Sequence, residues 1–460
     1  MKKLFISSVI LLSAFLSFGQ QIHLTSDVKN AVIAALNKDV DLTNQNIEKQ
    51  KLELQRKSIW NKYLPKIEAN ALYGYLNSEG NLDLPTVYLP ITSYPLFGSS
   101  ADFSTKGQVF HGGVLAKTVL FSGGQIYNGA KATGYKNEGT SYIMDLRADE
   151  VVKDIILSFD QLEMLRSAKK LIDESEKRLS KETERVEKAI SLGLAIPYDR
   201  DKIKLATLEL QSKKTDVLHK QELLILKINQ ATGIPKEDIS QFTHEVTPII
   251  ILDELGTNNR NEIKALESFK TASEYAVKKE KGSILPTLGA FGSYSYTSLF
   301  NAELSAPLSV LNTTAHLKTK ELTMNPTWMM GVAMKWELFS GFERKHKIEE
   351  AKLNLEQLEN KLTDTKEKLN LQLQKNKMEY ENALLQIAIA RQKESIAENN
   401  NILAEKQYKS GLINVTERLS AENDIYKESL NMIETIIKQR QIALETYQSS
   451  GSLNSFILIK

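Results

Sequence analysis

Residues 113–123 read GVLAKTVLFSG and residues 331–341 read GVAMKWELFSG. Gly113, Lys117, Leu120, Phe121, Ser122 and Gly123 recur as Gly331, Lys335, Leu338, Phe339, Ser340 and Gly341, each 218 positions on. The displacement holds downstream without insertion: Gly193 falls on Gly411, Arg200 on Arg418, Leu226 on Leu444 and Gly233 on Gly451. One register kept over about 120 residues marks two copies of one folding unit, and a repeat this long outranks any short motif.

Working outward, each copy carries the order helix, strand, long loop, strand, long helix, sharp turn, long helix. The first copy spans residues 20–233. A helix runs from Ser26, a good N-cap, to about Trp60. A strand at about 64–76 follows, in which Ile67, Ala69, Ala71, Tyr73 and Tyr75 alternate with Glu68, Asn70, Leu72 and Gly74. Ser, Pro, Gly and Tyr then make residues 77–107 a long exposed loop. A second strand at 110–121 leads to a helical hairpin at 125–232, turning at Gly193 to Pro197. Residues 234–256 read as a linker. The second copy, 257–451, repeats the pattern: a helix from about Asn258, strands at about 285–298 and 327–339 around a loop, and a hairpin at 342–449 turning at Ser410 to Asn414. Residues 452–460 form a tail.

Composition narrows the function. Lys2, Lys3, an apolar run from Leu4 to about Phe18, then small Ser17 and Gly19 make 1–19 a secretory signal peptide. The alternative, a membrane anchor, is weaker because the run falls short of the roughly 20 residues a span needs. Without Lys2 and Lys3 the 59 basic residues drop to 57, equal to the acidic ones, so nothing favours nucleic acid. The absence of cysteine excludes disulfides, thiolate chemistry, Cys-ligated zinc and a thioether-linked lipid. His23, His111, His219, His244, His316 and His346 show no metal-ligand spacing, and no nucleotide loop or catalytic motif occurs. No enzyme, cofactor or metal is expected. Met324, Met329, Met330 and Met334 offer soft thioethers to monovalent copper, but Met329 and Met330 point to opposite faces, and packing against lipid is the simpler reading.

Nearly seventy helical residues make a rod on the order of 100 Å. A lone two-helix hairpin of that length has almost no core, so its stripe must find other helices. Ile348, Leu355, Leu362, Leu369, Asn376, Ala383, Ala390, Ala397 and Ala404 recur at sevens, which predicts coiled-coil packing. The change from Leu to Ala predicts a taper towards Gly411. After the signal no apolar run reaches helical membrane-spanning length, so any membrane passage must be made by strands.

Four strands leave two open edges and are too few to close a barrel. Copies must combine. Three supply twelve strands and twelve long helices, with a dimer of eight strands as the minimum. Val332, Met334, Trp336 and Leu338 form an apolar outward face, while Lys335 and Glu337, like Lys117 in the first copy, point into the lumen. Tyr73, Tyr75, Tyr294, Tyr296 and Trp328 fit an aromatic belt or, equally, a barrel interior. A half-buried sheet in a soluble protein is the alternative to a barrel.

With these features in hand, the chain resembles the TolC-like outer-membrane efflux proteins of Gram-negative bacteria. The marks are the Leu64-Pro65 and Leu285-Pro286 strand starts, the Lys-x-x-Leu-Phe-Ser-Gly junctions at Lys117 and Lys335, the tip turns at Gly193 and Gly411, and the Asn229-Gln230-Ala231-Thr232-Gly233 helix end. The resemblance covers essentially the whole mature chain. It implies a mixed, mainly α homotrimer: a twelve-stranded transmembrane β-barrel in outer-membrane lipid, continuing into a long periplasmic α-helical coiled-coil barrel. It also implies a passive conduit of a tripartite efflux or type I secretion system, meeting a periplasmic adaptor (a membrane fusion protein) and an inner-membrane pump.

The same resemblance places adaptor docking at Gly193, Leu194, Ile196, Gly411, Leu412 and Val415, where helix capping by glycine is the simpler reading. It places aperture acids six and nine residues after the second tip glycine. Six gives Glu417, nine gives Ser420, and Asp199 holds the matching place in the first copy. Arg200 and Arg418 adjoin the acids as candidate partners, the alternative being a solvated face of mixed charge. The exported substrate and the pump class, RND, ABC or MFS, stay open. The rival reading is a secreted or periplasmic coiled-coil structural protein without a pore.

Overall fold

The computed structural model describes residues 24–83, 88, 100–251, 255–308, 313–451 and 453. The expected signal peptide, the middle of the first loop and nearly all of the tail lie outside them. Helices α1 (Ser26–Lys38) and α2 (Val40–Trp60) lead through a 3-10 turn to strands β1 (Lys66–Asp83) and β2 (Ser100–Phe121). Then come α3 (Gln125–Ser191), α4 (Pro197–Thr232), the short α5 (Lys236–Gln241) and α6 (Asn261–Gly282). Strands β3 (Thr287–Leu308) and β4 (Thr313–Lys335) precede α7 (Glu343–Lys409) and α8 (Val415–Ser450). Adding 218 to the bounds of α3 and α4 gives the bounds of α7 and α8.

The chain divides into two compact units, and each draws on both copies. One comprises Met1–Leu52, Tyr135–Thr271 and Glu356–Lys460; the other Glu53–Gly134 and Ala272–Leu355. In the helical unit, Val28, Val32 and Ala35 of α1 pack with Val152, Ile156 and Phe159 of α3 and with Leu444 and Tyr447 of α8. Further along α3, Leu165, Ala168, Ile172, Ser175, Leu179, Glu182 and Val186 are buried at alternating spacings of three and four, the a/d seam of a coiled coil. The α7 heptad is buried from Asn376 through Ala404 and half-buried from Ile348 to Leu369.

The single helix expected over 26–60 is broken at Asp39. Its extended backbone (φ −62°, ψ 121°) ends α1, and its carboxylate accepts the Leu42 N–H at 2.8 Å, so it caps α2. Burial pushes this carboxyl up, but hydrogen bonds from Arg147 and Leu42 outweigh it and hold the group below the ordinary carboxylate range.

The described part of the expected linker, residues 234–251, is likewise held in place. Beyond α5 it is an extended strap whose backbone is gripped by side chains. Gln439 takes both polar groups of Ile249, Tyr380 bonds Ile249 O and Ile251 N–H, and Arg440 donates to Thr247 O. Buried Asp160 of α3 holds His244 of the strap at 2.5 Å and Arg440 of α8 at 2.9 Å.

The other unit contains one antiparallel sheet ordered β1-β2-β3-β4, with β1 and β4 at its edges. Its strands run far into the regions expected as loops at 77–107 and 298–325. Backbone pairing continues from Asn77↔Lys106 to Asp83↔Ser100 and from Leu299↔Leu322 to Leu308↔Thr313. A ladder satisfies backbone polar groups whatever the side chains are, so stretches whose Ser, Asn, Gly and Pro content suggests a loop can still keep the hydrogen bonds of a strand.

In the opposite sense β4 stops at Lys335 rather than 339, so Trp336, Glu337 and Leu338 leave the sheet. There Arg344 donates to Glu337 O at 2.7 Å, and the turn that starts α7 holds positive φ at Gly341 (61°) and Phe342 (69°).

The first-copy counterpart of that turn, Gly123 (φ 61°) and Gly124 (φ 80°), sits in tighter quarters. A Cβ on Gly123 would overlap the Gly282 carbonyl oxygen, and one on Gly341 would meet nothing within 4 Å. Gly341→Ala therefore bears only the conformational cost, about 1–2 kcal/mol. Gly123→Ala must also displace the end of α6 and should cost clearly more. Unfolding midpoints of the two purified variants against wild type give the comparison, and equal losses would contradict it.

Candidate functional sites in the hairpin turns and the sheet

Both hairpin turns are built alike. Leu194 N–H reaches Ala189 O at 2.8 Å and Gly193 N–H reaches Ile190 O at 3.0 Å; Leu412 and Gly411 repeat this onto Gln407 and Tyr408 at 2.9 and 3.1 Å. This is the Schellman closure, with glycine in the left-handed region at φ 71° and 69°. It satisfies the last carbonyls of α3 and α7 and turns the next residues outward. Leu192, Leu194, Ile196 and Leu412 stand exposed, Leu194 at 78 %. Val415, grouped with them in sequence, does not: it is 3 % exposed and packs in the core with Leu179, Val186 and Ile203. It begins α8 on the inner face of that helix, where this chain's own core covers it, so Val415 is a core residue and not a docking contact.

Asp199 and Glu417 cap the return helices. Asn414 Oδ1 accepts the Glu417 N–H at 2.9 Å, while Glu417 Oε2 accepts the Asn414 N–H at 3.2 Å, a reciprocal capping box. Asp199 receives the Ile196 N–H at 3.4 Å ahead of Pro197, which suits the first helical turn.

Neither neighbouring arginine pairs with these acids. Arg200 lies on the surface against Asp201. Arg418 is 2 % exposed inside the helical unit, where it donates to Asn401 at 2.7 Å and faces Glu422 at 3.3 Å and Glu182 at 3.7 Å. Arg178 reaches Glu422 at 2.7 Å and Arg185 reaches Glu182 at 2.9 Å from the periphery. A charged residue one turn from a tip reads as solvated, and the heptad phase of Val415, Arg418 and Glu422 is the signal that would have placed it inside.

The sheet separates two chemistries. Rows Ile67–Ala116–Gly292–Met330 and Ala69–Val114–Tyr294–Trp328 cross all four strands on one face. On it Ile67, Tyr73, Tyr75, Tyr294, Trp328, Met330, Val332 and Met334 are exposed apolar or amphipathic side chains. The opposite face carries Asn70, Ser293, Ser295 and His111, whose Nδ1 lies 2.8 Å from Thr297 Oγ1. It also carries Lys117, which meets Glu68 at 2.8 Å, and Lys335. Glu337 is not among the sheet residues; beyond the end of β4 it lies 3.7 Å from Arg344. Among the described residues no helix is long and apolar enough to cross a membrane.

The buried charges make a sharp mutational contrast. Removing Arg418 alone, as Arg418→Ala, leaves Glu182 and Glu422 buried and under-compensated and is expected to cost about 3–5 kcal/mol. The triple change Arg418→Met, Glu182→Leu, Glu422→Leu should recover most of that loss. Thermal unfolding followed by circular dichroism compares them, and a triple variant no better than Arg418→Ala would refute this account.

The comparisons with known proteins agree with this geometry. The family model described as outer membrane efflux protein matches residues 255–452. Among solved structures, the Campylobacter jejuni CmeC outer membrane channel shares 14% identity at a TM-score of 0.72, covering 95% of this chain and 90% of that one. The Vibrio cholerae outer membrane protein VceC shares 12% identity at 0.70, covering 92% and 96%. The open state of the Neisseria gonorrhoeae MtrE outer membrane channel shares 13% at 0.67, covering 95% of each chain. No curated protein sequence matches significantly. The family match thus covers the second copy, residues 255–452, and along nearly its whole length the chain has the fold of these outer membrane channels.

Proposed function

We propose that this protein is the outer-membrane duct of a tripartite efflux or type I secretion system. Three copies pool their sheets into a twelve-stranded barrel and their hairpins into a periplasmic conduit, and cargo passes without covalent chemistry. The observation that carries this reading is the sheet itself, with an exposed apolar face, an opposite face that holds its lysines, serines and Asn70 among a few apolar side chains, and both edges open. A chain with that sheet has to find further strands before it can face hydrocarbon. The apolar band on β1, Ile67 to Tyr75, also has the length of about nine residues that a tilted strand needs to cross a bilayer.

The test is to extract outer membranes with detergent, look for heat-resistant trimers and record conductance in planar bilayers. A lone soluble polypeptide without conductance would overturn the reading in favour of a structural coiled-coil protein. The same recordings address Glu417, which in this reading stands at the periplasmic mouth. Glu417→Gln keeps a cap acceptor and removes the charge, so altered conductance or cation selectivity would mark an aperture role and an unchanged current would leave only the cap.

The turns around Gly193 and Gly411 are the docking surface for the adaptor, with Leu192, Leu194, Ile196 and Leu412 as the apolar contacts. Leu194→Asp with Leu412→Asp should abolish cross-linking of the adaptor to the tips in cells while trimer yield and conductance stay at wild-type levels. Undiminished cross-linking would refute the assignment.

A further inference from the structure

At the end of the sheet where β1 begins and β4 ends, a cavity of about 760 Å³ opens. Among its strand residues, Lys66, Leu115, Lys117, Val119, Phe291 and Ala333 occupy polar-face positions and Thr118 and Ala290 lie on the other face, and Leu64 and Lys62 border it from the preceding turn. Glycines make the room. Lys66, Lys117, Phe291 and Gly331 form one row across the four strands, and Gly331 bears no side chain where a Cβ would come within 3.2 Å of the Phe291 ring. The floor is thus apolar, formed by an aromatic ring, Leu115, Leu64 and Ala333.

The rim is cationic. Lys66 and Lys117 share one carboxylate, Glu68, at 2.8 Å each. Lys62 has no carboxylate at ion-pair distance among the described residues, so three lysines stand against one acid. Lys335, the repeat counterpart of Lys117, adds a further positive charge on the same face. Above this level the polar face is lined by uncharged groups such as Asn70, Ser293 and Ser295. A drug-sized ligand needs a concavity of about 300–1,000 Å³, mostly apolar, with a few polar groups to orient it. Lysines at the edge of an apolar floor orient a ligand that carries its negative charge at one end of a ring system or short alkyl body.

We propose that this basal pocket binds amphipathic organic anions, an aromatic or short alkyl body with one sulfonate or carboxylate, and that the duct accordingly favours cargo of that class. The cargo preference rests on the reading of the polar face as the wall of the bore; the binding itself does not.

The two parts are therefore measured separately. Full-length protein in nanodiscs is dialysed to equilibrium against 8-anilinonaphthalene-1-sulfonate, with empty nanodiscs as reference, and in parallel against its uncharged relative N-phenyl-1-naphthylamine. Saturable binding of the sulfonate, weakened about tenfold in Lys62→Gln/Lys117→Gln and absent for the uncharged compound, is the expected result. Lack of saturable binding, or equal binding by the double variant, overturns the pocket. Phe291→Leu, which keeps an apolar floor and removes the ring, guards against a folding artefact and should weaken the sulfonate with both lysines intact. In planar bilayers the sulfonate should reduce single-channel current in wild type and less in the double variant. Binding without any conducting pore would refute the duct and spare the pocket. Conduction insensitive to the bound sulfonate would refute the cargo preference.

Discussion

The outward-facing backbone groups of β1 and β4 have no ladder partner within the chain's own sheet. In water such an edge is tolerable; in hydrocarbon each unpaired N–H or C=O costs several kcal/mol. The apolar face removes the option of staying in water, because Trp328, Met330, Val332 and Met334 lie side by side on an edge strand, an aggregation surface unless lipid covers it. Edge and face make opposite demands, and these are the physical ground of the proposed closed ring of strands from several copies. Each copy can then stay small in its β content and spend most of its length on helix.

Those helices face a different constraint. A seam of small and branched apolar residues packs equally well in several registers, since one heptad resembles the next. Polar groups in the seam break that degeneracy. Arg418 among Glu182, Glu422 and Asn401 fits only one axial position of α8 against α3 and α7. Asp160 does the same at another level, joining α3 of the first copy to α8 of the second through Arg440 while holding the strap through His244. Buried charges of this sort add little net stability when fully paired, and misalignment leaves them uncompensated, so their contribution is to specificity.

The helical hairpins were legible because three independent signals coincide at each end: a run of good helix formers, a glycine suited to the left-handed cap, and the 218-residue echo. The strand ends were not. Period two fades beyond Tyr75, and although Phe300, Ala302, Leu304, Ala306 and Leu308 still alternate with polar residues, Ser305 and Pro307 among them give the stretch the composition of a loop while its backbone stays paired. The break at Asp39 hides inside good helical composition because its cause lies 108 residues away in Arg147. The strap fails the same way: nothing local marks residues 243–251 as ordered, and the side chains that hold them come from distant helices, Asp160 of α3, Tyr380 of α7 and Gln439 and Arg440 of α8 among them. Glu337 was misplaced by extending an alternation two residues past the point where the backbone leaves the ladder for the turn into α7.

The two copies have kept their backbones and diverged in what the backbones carry. Gly124 answers Phe342 at one positive-φ position, and surface Arg200 answers buried Arg418. The Asp199 cap lacks the reciprocal Asn of the Glu417 cap. Inside the helical unit the heavier polar load falls on the second hairpin, which holds Arg418, Glu422 and Gln439, while the first hairpin's matching positions are Arg200, Lys204 and Gln221, none of them buried. In the proposed trimer such chains make a ring that is six-fold in backbone and three-fold in chemistry. Buried pairs tie the two hairpins to each other: Glu182 and Asp160 of α3 face Arg418 and Arg440 of α8, so sliding either hairpin past the other unpairs the same charges. Any movement of the turns that keeps these pairs has to carry α3 and α8 together.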